Sequence, residues 1–324
     1  MPPDTRRTRF AARAVLRIVR RRLATCLPLI PFALLGACAD APRVPVPKGA
    51  VAAEAVDDFG APIPEPGTAG SRIISLNPSV TEALFAIGSG PRLVARSKWD
   101  TFPAEALAVP SVGDGIRPSV EAVVAMRPTL VILYASADNR AAAEALRRAG
   151  IPVVALRVDR LVQVDHLLHL LGRLTGDSVP AQLVRDSVRR TLDRVRTLTS
   201  HQGHRPRVLW PVWDTPPMVI GGGSYLDELV EIAGGDNVFH DLSAPSPTVN
   251  IEEILRREPE VVFTSAASAK RLAQRPGWRE LPAIRAKRFL LEDPALTGRP
   301  SVNVGMAAVH LAQLLHPALR DSLP

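Results

Sequence analysis

Cysteine is all but missing from this chain: there are two, Cys26 and Cys38, in 324 residues. Both lie near the start, so whatever folds beyond residue 38 must hold together by packing, with no disulfide to brace it. Long apolar runs are missing too. The segment LATCLPLIPFALLGA at 23–37 is interrupted by Pro28 and Pro31 and falls short of the roughly 20 residues that a membrane-spanning helix needs. Positive charge is scarce once its location is considered. The formal net charge is +8, from 40 basic and 32 acidic residues, but residues 1–37 carry eight arginines (Arg6, Arg7, Arg9, Arg13, Arg17, Arg20, Arg21, Arg22) against one acid, Asp4. Beyond them 32 basic residues face 31 acidic ones, which removes the main support for a nucleic-acid partner.

Several catalytic patterns are absent as well. The run GGGS at 221–224 precedes a predicted helix, as a phosphate cradle would, but it lacks a following lysine and the P-loop spacing, which favours a tight turn. No nucleophile elbow or Ser/His/Asp grouping is evident. His166 and His169 lie three apart among leucines and His201 and His204 in a polar stretch, with no third ligand placed to complete a metal site, so none is expected.

What is present begins with that basic start, which leads into the apolar run and then into small residues before Cys38. This order reads as an export signal over 1–37. The residues LGAC resemble the bacterial lipobox, in which the cysteine is lipidated and becomes the new first residue; the rival readings are ordinary signal cleavage and an uncleaved anchor. From 38 to 71 prolines recur among alanines and glycines without an apolar period, as expected of a solvated tether.

The remaining chain alternates strands and helices, which predicts mostly parallel sheets covered on both faces. RIISL at 72–76 is a strand, followed by a helix in which Ser79 and Glu82 have capping-box spacing. SVEAVVAMRPTLVIL at 119–133 reads as a capped helix, a proline stop and a buried strand. NIEEILRREPEVVFT at 250–264 repeats that unit 131 positions later, and NPSVTEALFAIG at 77–88 has a looser echo in GSYLDELVEIAG at 223–234. Between the repeats, residues 161–199 are helical throughout with one break at 176–180, like a rod. The fold expected is α/β: two similar lobes, 72–158 and 204–324, joined by a long helical spine over 159–203, with a ligand cleft between them. A helical connector permits only a small hinge motion.

Five ordered motifs carry a family likeness: RIISLNPSVTEALFAIG, the EAVVAMRPTLVI unit, GGGSYLDELVEIAGGDNVF, the EEILRREPEVVF unit and PGWRELPAIRAKRFLL. In these the chain resembles the helical-backbone periplasmic binding proteins of ABC importers, which carry vitamin B12, iron siderophores or haem. TPPMVIGGGS at 215–224 is most similar to the vitamin B12 binders, whereas SVGDGIRPS at 111–119 carries no aromatic where those proteins have a tryptophan.

The resemblance implies a monomeric, non-enzymatic lipoprotein on the periplasmic or cell-surface side of the membrane. It would capture cobalamin or a related ferric chelate, need no cofactor of its own, and deliver its ligand to an ABC permease dimer. It assigns ligand contacts to Tyr134, Trp213, Trp99 and Met218, and permease docking to Glu121 and Glu252, one per lobe, with Glu253 as a local rival. Arg299 is read as solvated, or as the partner of a ligand carboxylate, and Trp278 as packing a loop. The alternatives are a ferric siderophore or haem receptor of the same family and, outside it, a lipid-anchored α/β enzyme.

Overall fold

The computed structural model describes residues 56–67 and 70–323. The expected signal peptide, Cys38 and the first part of the tether lie outside the described residues.

The first half runs β1 (Ile73–Leu76), α1 (Pro78–Ala86), β2 (Leu93–Arg96), α2 (Val120–Ala125), β3 (Leu130–Tyr134), α3 (Ala137–Arg148) and β4 (Val153–Leu156). Its strands form one parallel sheet in the order β2-β1-β3-β4. LVILY makes a strand because its first four side chains are buried, as in a sheet covered on both faces. The cap of α1 differs from the expected Ser79/Glu82 box. Asn77 is the N-cap, accepting a hydrogen bond from Ser79 N at 3.1 Å, and Pro78 opens the helix, so Glu82 is free for a different partner.

Two helices follow, α4 (Leu161–Thr175) and α5 (Ser178–Thr199). They do not form a single rod. Gly176, at φ 81°, takes the left-handed conformation that ends α4, and α5 packs back along it as a hairpin. At 22 residues α5 is about 33 Å long.

The second half runs β5 (Arg207–Leu209), β6 (Pro211–Asp214), β7 (Pro217–Val219), α6 (Tyr225–Ile232), β8 (Asp236–Asn237), α7 (Ile251–Arg256), β9 (Val261–Thr264), α8 (Ala266–Gln274), α9 (Pro282–Arg285), β10 (Phe289–Leu291), α10 (Pro294–Thr297) and α11 (Val304–Leu315). The sheet order β10-β9-β5-β8 repeats the connectivity of the first sheet, with β5, β8, β9 and β10 standing for β1, β2, β3 and β4. The run RVLWPVW at 207–213 is split between two sheets: Pro211 has no N–H to donate, and β6 pairs antiparallel with β7 in a separate hairpin.

The duplication extends to atoms. Ser119 and Asn250 cap α2 and α7 by accepting from Ala122 N and Glu253 N. Both helices end in a left-handed non-glycine residue before the proline, Arg127 at φ 48° and Glu258 at φ 44°. Arg72 then donates through Nε to Arg127 O at 3.0 Å and through Nη2 to Met126 O at 2.5 Å. Arg207 donates in the same way to Glu258 O at 3.4 Å and Arg257 O at 2.5 Å. One arginine at the start of each lobe thus covers the orphan carbonyls of the repeated helix.

A continuous buried cluster joins both halves, running from Leu84 in α1 through Leu168 and Leu171 in α4 and Val195 in α5 to Leu229 in α6 and Leu311 in α11. Separate clusters fill the outer faces of the two sheets.

Residues 56–67, expected as solvated tether, are instead strapped onto the first lobe. Asp57 is buried and accepts from Phe59 N, Ala61 N, Ala155 N and Arg147 Nη2, while Asp58 N donates to Ala155 O on β4 and Gly67 N to Arg173 O at the end of α4. Proline content gave no sign of the buried carboxylate that pins the strap.

Candidate ligand-binding cleft

The side chains of interest lie at the carboxyl ends of the strands of the first lobe and in the β6–β7 hairpin of the second. After β2 the chain turns at Asp100, which is fully buried and accepts from Thr81 Oγ1 at 2.8 Å, Ser97 Oγ at 2.7 Å and Ser97 N at 3.3 Å. Burial pushes its pKa up, against these hydrogen bonds. With Asp100 turned inward, its neighbours are held outward: Trp99 is 55% exposed, and Phe102 is exposed on the same loop. Trp99 Nε1 donates to Asp114 Oδ1 at 3.4 Å, and Lys98 Nζ lies 4.7 Å from the Trp99 ring centroid. Lys98 also pairs with Asp114 at 2.8 Å, and its hydrogen bond is the main cause that holds the Asp114 carboxyl down at about 2. Ile116, exposed in the next turn, occupies the loop that lacks a tryptophan.

Tyr134 ends β3 half-buried, its hydroxyl donating to Asp159 Oδ1 at 2.6 Å. Burial and then that carboxylate raise its pKa, so it remains a neutral phenol. In the second lobe Trp213 is 59% exposed and lies in β6, beside exposed Val212. Its Nε1 donates to Thr215 O at 2.7 Å. Met218, half-buried in β7, bridges to Thr248. The hairpin is held from beneath: Trp278, fully buried, donates through Nε1 to Asp214 O at 3.1 Å, and Asp214 pairs with Arg271 and Arg275. Trp278 is therefore a core residue of this lobe.

Trp99, Tyr134, Trp213 and Met218 share neither the cavity of about 390 Å³ between the strap and α4 nor that of about 430 Å³ between α5 and α6. Trp99 and Trp213 stand on open surface, and Tyr134 and Met218 are half-buried in their strands. Phe102, Ile116 and Val212 on that surface escaped the sequence reading, because an exposed apolar side chain has the same letter as a core one.

Arg299 corrects the expectation of a solvated cation. It follows α10 at the carboxyl end of the second sheet and pairs through Nε with Glu82 Oε1 of α1, across the two halves. Asn303 Nδ2 donates to Glu82 Oε2 at 3.0 Å, and the Arg299 guanidinium lies 5.8 Å from the Phe102 ring centroid. A partner 217 positions away leaves no local signal.

The first two amides of GGGS are already used. Gly221 N donates to Pro245 O and Gly222 N to Leu242 O. A Cβ at Gly221, Gly222 or Gly223 would lie 2.2, 2.1 or 2.2 Å from the carbonyls of Ala244, His240 or Ser243. Loop carbonyls fill the place a phosphate would take, and glycine is needed for their approach.

Of the acids in the repeated helices, Glu121 and Glu252 are exposed. Glu121 accepts only from Ser119 Oγ at 3.2 Å, and Glu252 has no ion pair or hydrogen bond among the described residues. Glu253 is held by Arg256 and Arg257. His204 pairs with Glu260 and His201 with Thr197 O, and no group of three or more potential metal ligands occurs among the described residues.

The two matched α/β lobes carry exposed aromatics, and a profile of the periplasmic binding proteins matches residues 73–296. The chain belongs to that family of non-enzymatic substrate-binding proteins of ABC importers, which removes the enzyme alternative. It is 28% identical over 215 residues to the vitamin B12-binding protein of Vibrio parahaemolyticus, covering 66% of this chain and 78% of that one. The corresponding protein of Vibrio cholerae is 28% identical over 195 residues, 60% of this chain and 70% of its own. Among solved structures, the apo periplasmic haem-binding protein RhuT from Roseiflexus sp. RS-1 superposes with a TM-score of 0.70 at 24% identity, covering 78% of this chain and 100% of that one. The vitamin B12 binding protein BtuF of Vibrio cholerae gives 0.67 at 24%, covering 78% and 99%. These last two likenesses establish the fold alone.

Proposed function

We propose that this periplasmic binding protein captures cobalamin or a related bulky metal chelate between its lobes and, anchored by lipid on Cys38, delivers it to an ABC permease dimer. The observation that carries the ligand reading is the Trp99 loop. Its tryptophan is held open to solvent by a fully buried carboxylate, while Trp213 is presented by a hairpin braced on Trp278. Flat aromatic faces on fixed supports suit a large planar ligand, because contact area is gained with little side-chain ordering. The names of the curated relatives support cobalamin. A haem or ferric siderophore receptor is the second reading, supported by the haem-binding structures of the same fold. Tyr134 and Met218 are proposed as flanking contacts.

Docking is assigned to Glu121 and Glu252, whose freedom from strong partners leaves each carboxylate available to a cation. The test of the ligand reading is a titration of the purified soluble body with cyanocobalamin, hemin and a ferric siderophore, followed by tryptophan quenching. Replacing both Trp99 and Trp213 by alanine is expected to weaken capture by at least about tenfold, at ~1 to 3 kcal/mol for each stacked face lost. Undiminished affinity in that double variant would overturn the site.

A further inference from the structure

Among the described residues, every lysine and arginine in the loops that follow the strands is matched by an acid. Lys98 pairs with Asp114 at 2.8 Å, Arg117 with Asp138 at 3.5 Å and Arg157 with Asp159 at 3.8 Å. Arg160 pairs with Glu228 and Arg299 with Glu82. Four of these five pairs concern the rims or the spine junction. The fifth spans the two lobes. Arg299 is 23% exposed, so its guanidinium remains within reach of a ligand, whereas Glu82 beneath it is 1% exposed and reaches no solvent. Glu82 therefore acts on a ligand only through Arg299, and Asn303 Nδ2, donating to its other oxygen at 3.0 Å, fixes the carboxylate in place.

We infer that Glu82 sets the charge selectivity of the cleft: by cancelling Arg299, it makes the site accept a bulky chelate with no negative charge at that point and turn away one that offers carboxylates there. This rests on the cleft being the ligand site, as proposed above. The chemistry is that of competition. A ligand carboxylate approaching Arg299 meets a guanidinium whose charge is already balanced at contact distance, and must desolvate beside the buried Glu82 carboxylate, a like charge. A ligand presenting amides or apolar edges meets neither cost, and the adjoining surface of Phe102, Trp99 and Ile116 gives it apolar contact. Glu82 is thus a positioning and charge-balancing residue, and the cation needed for a carboxylate-bearing chelate is present but masked.

The experiment compares cyanocobalamin, whose corrin edge carries neutral amides, with hemin, which carries two carboxylates. The soluble body is used as wild type, as Glu82→Gln, and as Glu82→Gln with Arg299→Gln. Wild type is expected to bind cyanocobalamin more tightly than hemin. Glu82→Gln keeps the shape and the hydrogen-bond acceptor but unmasks Arg299, and is expected to shift the hemin-to-cyanocobalamin affinity ratio toward hemin by about tenfold, the worth of one charge-assisted hydrogen bond. Adding Arg299→Gln is expected to remove that shift, which a merely structural role for Glu82 would not do. A wild type that prefers hemin, or a ratio that Glu82→Gln leaves in place, overturns the inference while the binding-protein reading stands. Failure of the wild type to bind either probe overturns both.

Discussion

At the scale of single residues, this structure places acids where they hold something else in position. Asp57 pins the strap, Asp100 the Trp99 loop, and Asp227 a loop of the second lobe. Asp227 is buried on α6 and accepts from Asn237 Nδ2 and from His240 Nδ1, both at 2.8 Å, while the His240 ring itself is largely exposed. The hydrogen bond to Asp227 is the main cause of a His240 pKa raised above its ordinary 6.5, with Glu231 and Asp241 adding to it and partial desolvation opposing. A histidine whose folded pKa lies above its unfolded one binds more protons when folded. Its stabilisation is present in full below about 6.5 and fades as pH rises through the folded value. The melting-temperature difference between wild type and His240→Gln is therefore expected to shrink from about pH 6 to about pH 9, and an NMR titration of His240 should drop toward the ordinary histidine range in Asp227→Asn. A midpoint at or below the ordinary value in wild type would contradict the pairing. Such pairs were not legible in the sequence. Trp99 and Trp213 announce themselves by type, whereas Asp100 is one acid among many until Thr81 and Ser97 are seen around it.

Elements were legible where local chemistry decides them and opaque where distant partners do. The units at 119–133 and 250–264 could be read because cap, proline and β-branched run all lie within fifteen positions. The Ser79/Glu82 spacing misled for the opposite reason: the spacing is the same whether the glutamate caps or, as here with Asn77 as the N-cap, lies beyond the first turn and reaches across the molecule to Arg299. The arginine caps escaped notice because Arg72 and Arg207 precede their helices in sequence by about fifty residues. Their equivalence makes a paired test. Arg72→Ala and Arg207→Ala each uncover two carbonyls at an exposed helix end, and each is expected to lower unfolding free energy by about 1 kcal/mol, discounted for exposure from the value of a buried charged donor. Urea denaturation of both variants should give similar losses. A loss confined to one of them would mean that the matched geometry is not matched in energy.

For the molecule as a whole, duplication explains the shape and the continuous core limits its motion. The two sheets share one connectivity, which the repeated motifs foretold, while the hairpin of β6 and β7 breaks the symmetry and supplies Trp213 to one side only. The core through α4 and α5 ties the lobes together, so a large closure would open buried apolar surface at about 25 cal/mol per Å². The surface charges that such a body would offer its proposed permease are therefore of interest. Glu121 and Glu252 occupy the same position of α2 and α7, and exposed Val124 and Leu255 follow each by one turn, so each lobe offers an anion beside an apolar contact. Each acid supports the fold only through the dipole of its helix's first turn, at about 0.3 to 1 kcal/mol: Glu121 accepts one long bond from Ser119, and Glu252 none among the described residues. Reversing both to lysine is therefore expected to lower the melting temperature only slightly and to leave cyanocobalamin quenching as in wild type, while ligand uptake by cells that depend on this protein falls at least about a hundredfold, since two attractive contacts become repulsive. Either reversal alone should give an intermediate loss that deepens at low salt, where repulsion between exposed charges is least screened. Uptake that survives the double reversal would remove these carboxylates from the docking surface, and loss of quenching would place them in the ligand site instead.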